Sequence, residues 1–182
     1  MSGVHPPFEQ LAEAGARLDA AELGWALGGS GLLHALGLAD HVGDWDLQTD
    51  ASPKDCESAF AGRPYERFDS NGCHADHKLA LLDAEAEIII RFAFATARGV
   101  VRVPTRVSGH WRGMPLASPE GWAVAYWLLG ELDGAPERTV KAERLLAHLT
   151  THGANPARLA EMLAQPLPVA LAARLEALRR TD

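Results

Sequence analysis

Apolar positions in residues 7–21 recur at helical spacing, with Phe8, Leu11, Ala12 and Leu18 on one face. They predict an opening helix, although Gly15 falls on that face and is a poor helix former. A short apolar run at 23–27 ends in Gly28-Gly29-Ser30-Gly31, and residues 32–38 read as a second helix. Residues 44–49 (DWDLQT) alternate polar and apolar, the pattern of a half-buried strand. Ser52-Pro53 supplies a cap and a first-turn proline for a third helix ending at Gly62. Strands are expected at 65–68 and 77–82. The strongest, 87–96 (EIIIRFAFAT), is expected to pair with 99–103 as a hairpin.

The character of the chain changes near residue 115. From Ser118-Pro119-Glu120 onwards the spacing predicts four helices, 119–129, 137–152, 156–165 and 168–180, with stops at Gly130, Gly153 and Pro166. The expected fold class is α+β: a small mixed sheet with packed helices over residues 1–115, then a helical region over 116–182.

Composition narrows the function classes. Seventeen basic against 24 acidic residues give a formal net charge of −7. That charge disfavours a protein gripping nucleic acid through phosphate neutralisation. The longest apolar stretch, residues 122–129, is far shorter than the roughly 20 residues of a membrane span, so no membrane association is expected. Two cysteines, Cys56 and Cys73, make no disulfide framework, and a cytoplasmic location is expected. There is no Walker-type phosphate loop, no nucleophile elbow and no dinucleotide fingerprint.

Candidate chemistry is concentrated in residues 25–50. The Gly28-Gly29-Ser30 turn runs straight into a helix, where backbone amides and the helix dipole favour a phosphate; such turns also serve as plain connections. Thirteen residues after Ser30 come Asp44-Trp45-Asp46-Leu47. Residues i and i+2 of a strand share a face, so Asp44 and Asp46 aim two carboxylates at one place. Mg²⁺ takes hard oxygen ligands of this kind together with substrate phosphates. An exposed edge strand would carry the same pattern.

Together the two motifs resemble the nucleotidyltransferase superfamily related to DNA polymerase beta, whose signature is an apolar run, Gly-Ser, about a dozen residues, then Asp-apolar-Asp-apolar. Small bacterial antibiotic-modifying enzymes and uncharacterised paralogues belong to the same group. The resemblance implies a turn at Gly29 and Ser30 that holds the triphosphate of an NTP co-substrate. It implies two Mg²⁺ ions on Asp44, Asp46 and a third acid from a later strand. Glu87, opening the strongest strand, fits that third place, although the family usually has Asp there; Asp83 and Glu85 are the nearby substitutes. Lys141 stands where such enzymes place a lysine near the triphosphate, although a solvated helix face is the readier reading. The activity implied is transfer of a nucleoside monophosphate to an acceptor hydroxyl on a small molecule or protein, nucleic acid being disfavoured by charge. The alternative is a non-catalytic, antitoxin-like binding or regulatory protein on the same fold.

Other polar clusters admit blander readings. His74 and His77, with Asp76 and Cys73, could share a zinc ion, line a substrate loop, or belong to an inert surface loop. Trp122, Tyr126 and Leu129 form a stripe that reads first as core and second as a shelf for a nucleobase. His34 reads as an interior or boundary residue, with His41 just after the same helix.

Overall fold

A computed structural model describes residues 5–69 and 75–180. The chain divides into two compact units. The first holds the chain up to Phe92 together with Pro104–Ala117; the second holds Ala93–Val103 and the chain from Ser118.

The first unit is built on a seven-stranded mixed sheet. In chain order its elements are α1 (Phe8–Ala20), β1 (Trp25–Leu27), α2 (Gly29–Ala35), β2 (Trp45–Thr49), α3 (Pro53–Ala59), β3 (Tyr65–Asp69), β4 (His77–Leu81) and β5 (Ala86–Ile90). The second unit opens with a separate hairpin, β6 (Ala93–Thr96) and β7 (Gly99–Arg102). The chain then returns to the first unit for β8 (Val107–Trp111) and β9 (Met114–Ala117). Strand order in the large sheet is β3-β4-β5-β2-β1-β9-β8. β2 runs parallel to β5 and antiparallel to β1, which in turn runs parallel to β9.

Alternation along the strands sorts the two faces. Leu27, Leu47, Ile88 and Ile90 are fully buried, and α1 packs on β5 and α3 with Leu11, Ala14 and Leu18 facing inward. Gly15 is the close-approach point: a Cβ there would stand 2.4 Å from the Trp25 ring. Trp25 is itself held by a 2.8 Å hydrogen bond from Nε1 to Asp19. Ser52 caps α3 as its sequence requires, accepting from the Asp55 amide. Asp46 and Glu87 project from the opposite face of β2 and β5.

The second unit continues with α4 (Pro119–Asp133), α5 (Pro136–His152), α6 (Pro156–Leu163) and α7 (Val169–Arg179). α4 and α5 pack closely, with Gly130 directly against Thr139. Trp122, Tyr126 and Leu129 are all buried in this unit. Glu120 is only 3% exposed, yet its carboxylate accepts from the Ser118 hydroxyl at 2.5 Å and from the Asn155 amide at 2.7 Å.

The architecture has the expected α+β class, mixed sheet and C-terminal helices, with several departures inside it. The run 87–96 is two strands rather than one. Arg91 adopts φ 55°, a left-handed conformation that ends β5, and the chain leaves the large sheet before pairing as β6–β7. β8 and β9 were not expected from the sequence. α2 starts at Gly29 rather than at Leu32. α4 runs through Gly130 to a left-handed cap at Gly134.

Candidate active site

Strand order alone brings the two motifs together. β1 and β2 are antiparallel neighbours in which Leu27 faces Leu47, so the chain leaving β1 passes over Asp46; the Gly28 amide donates to the Asp46 carbonyl at 2.8 Å. Gly29 follows with φ 55°. A Cβ at this position would lie 1.7 Å from Asp46 Oδ2. Backbone conformation and close approach to the carboxylate thus both require glycine here.

Ser30 is 8% exposed and bridges the turn to the next loop. Its hydroxyl donates to the Asp44 carbonyl at 3.3 Å and accepts from the Gly43 amide at 3.2 Å. In this state the Ser30 side chain fixes the segment that delivers Asp44. The amides at the start of α2 belong to the first helical turn, which has no intrahelical acceptors.

The third acid arrives by parallel pairing. Asp46 on β2 is in register with Glu87 on β5, and Asp44 stands one residue before β2. One carboxylate oxygen from each of Asp44, Asp46 and Glu87 lies within 4.8 Å of the others, and all three side chains are half-buried. Carboxylates this close repel one another unless a cation lies between them. Three convergent hard-oxygen donors beside a turn too tight for any side chain fit a divalent ion such as Mg²⁺. Of the nearby alternatives to Glu87, Asp83 forms a two-pronged pair with Arg63, which pulls its carboxyl below the usual range, and neither Asp83 nor Glu85 is in the converging group.

One site residue escaped sequence reasoning. Lys78 on β4 places its ammonium 2.9 Å from both Glu87 oxygens. It also lies 5.2 Å from the centre of the Phe68 ring, directly across from it in the β3–β4 register. Its signal in the sequence was its place in the 77–82 strand, on the same parity as Ala80, which pairs with Glu87.

No family model and no curated protein sequence matches the chain. Solved structures do. A proposed nucleotidyltransferase from Thermotoga maritima superposes with a TM-score of 0.54 at 21% identity, over 71% of this chain and 88% of its own. The antibiotic-resistance factor ANT(2'')-Ia superposes in solution with a TM-score of 0.56 at 15% identity, over 94% of this chain and 88% of its own. ANT(2'')-Ia in complex with adenylyl-2''-tobramycin gives 0.57 at 11% identity, over 96% and 98%.

The chain has the nucleotidyltransferase fold. Within that fold, Gly29, Ser30, Asp44, Asp46 and Glu87 meet in the first unit. Lys141 lies on α5 of the second unit, its ammonium 5.3 Å from the Tyr126 ring centre. His34 hydrogen-bonds the Ala39 carbonyl through Nδ1 and meets Trp111 edge-on. His77 pairs with Asp69 at 2.7 Å in an exposed cluster with Arg67; His74 and Cys73 lie outside the described residues. No helix among the described residues is long and apolar enough to cross a membrane.

Proposed function

We propose that the chain is a nucleotidyltransferase, moving a nucleoside monophosphate from an NTP to an acceptor hydroxyl with release of pyrophosphate. The observation that carries this reading is the convergence of Asp44, Asp46 and Glu87 beneath the Gly29 turn. Bound Mg²⁺, two ions in the full reaction complex, would neutralise phosphate charge and lower the pKa of the acceptor hydroxyl. The protein's part is positioning. Asp44 and Asp46 would hold the ions at one strand end, and the β- and γ-phosphates would lie beside the first amides of α2. Ser30 keeps the Asp44 segment at hydrogen-bond distance. Glu87, in register with Asp46, would take the proton of the acceptor hydroxyl.

A small-molecule acceptor is favoured. One structural neighbour is seen with an adenylylated tobramycin, and the acidic chain disfavours nucleic acid. The non-catalytic alternative would not need Glu87 to join the aspartates, so its convergence favours catalysis. The test is pyrophosphate release from a panel of NTPs with Mg²⁺ and a library of hydroxyl acceptors. The parent is expected to turn over with at least one pair, and Asp46→Asn to lose about three orders of magnitude or more, the scale of lost transition-state charge stabilisation. Equal turnover by parent and variant would refute the role of the triad.

A further inference from the structure

The fourth charge in the site is the least explained by nucleotidyl transfer. Lys78 is 35% exposed and Glu87 26%, so the pair sits at the rim of the acidic cluster, and its members can separate without uncovering a buried charge. Three carboxylates and one ammonium leave two negative charges, which a single divalent ion neutralises. A second divalent ion would make the site net cationic until an anionic triphosphate arrived. It would also need oxygens of Glu87 that Lys78 already holds, both at 2.9 Å. Two charge-assisted hydrogen bonds at this distance hold the Glu87 carboxylate, and a competing charge displaces them. Phe68 offers the displaced ammonium a second resting place, its ring face already 5.2 Å away.

We infer that Lys78 is a positioning residue: a tethered cation that occupies Glu87, holds the nucleotide-free site to one divalent ion on Asp44 and Asp46, and yields Glu87 to a second ion only when nucleotide brings its own negative charge. The inference rests on the proposed transfer reading and deepens it. Its consequence is ordered loading, in which the site is complete only once NTP is bound.

The test is ion stoichiometry, read by Mn²⁺ electron paramagnetic resonance or calorimetry on the full chain, with no turnover involved. The parent is expected to bind one Mn²⁺ per chain alone and two with a non-hydrolysable NTP. Lys78→Met, and Lys78→Gln as a second neutral variant should the first not fold, are expected to bind two Mn²⁺ without nucleotide. The double variant K78M/E87Q should return to one. Two ions on the nucleotide-free parent, or one on both folded Lys78 variants, would overturn the inference while leaving nucleotidyl transfer standing. No ion on the parent, with or without nucleotide, would overturn both.

Discussion

Gly29 shows how much of the site rests on single residues. It has a left-handed φ of 55°, and the Asp46 carboxylate occupies the space of the missing side chain. Gly29→Ala therefore adds backbone strain of about 1–3 kcal/mol and pushes Asp46 off its position. The expected outcome is a folded protein with a lower melting temperature and at least tenfold weaker Mn²⁺ affinity; unchanged Mn²⁺ binding would separate the turn from the metal ligands. At this scale the sequence was informative. Asp44 and Asp46 could be named because strand parity constrains where carboxylates point, and Glu87 because the family resemblance called for a third acid on a later strand. Lys78 could not, because its role depends on β4 lying against β5, a pairing set by the whole sheet rather than by local pattern. Nor could the Ser30 bonds to Gly43 and Asp44 be seen, since they depend on how residues 36–44 close back on the turn.

Elements were legible where punctuation was strong. Ser52-Pro53 and Ser118-Pro119 mark helix starts that the structure keeps, each serine accepting an amide of its first turn. The run 87–96 misled because apolar residues continue on both sides of Arg91, with no Gly or Pro to signal that Arg91 turns left-handed. β8 and β9 were hidden by Gly109 and Pro115, residues that weaken any strand pattern. Gly130 looked like a helix stop. Its actual cause is packing, since a Cβ would come within 2.3 Å of Thr139 Oγ1. Gly15 on α1 is a similar case and decides a prediction. Alanine there would gain about 1 kcal/mol of helix propensity. Against that, its Cβ would meet a Trp25 ring that is 4% exposed and hydrogen-bonded to Asp19, so the ring has nowhere to go. Overpacking of this kind costs about 1–3 kcal/mol. Gly15→Ala is thus expected to destabilise the protein in urea titration, despite the better helix former; a raised midpoint would show that Trp25 yields.

At the scale of the molecule, each unit has its own core and its own response to solution conditions. In the second unit, burial of His148 on α5 lowers its pKa below the ordinary 6.5; the charge of nearby His152 adds to the effect and that of Glu120 opposes it. The folded state therefore binds its proton less readily than the unfolded chain. This contribution to stability is complete above pH 6.5 and is lost as pH falls from there toward the depressed folded value. His148→Gln is expected to flatten the decline in melting temperature below pH 6.5, measured against the parent over the same range. In the first unit the clustered carboxylates oppose one another when no cation is bound, which sets up the most direct test of the account. The measurement is the thermal shift produced by Mg²⁺ with each NTP, on the parent and on Asp46→Asn. The account predicts that at least one Mg²⁺–NTP pair raises the parent's melting temperature, by the mass action of a ligand that binds only the folded state. It predicts no such rise for Asp46→Asn, whose melting temperature in EDTA equals or exceeds the parent's because a repulsive charge is gone. A parent indifferent to every Mg²⁺–NTP pair, together with a markedly destabilised Asp46→Asn, would contradict it and make the aspartate a structural residue.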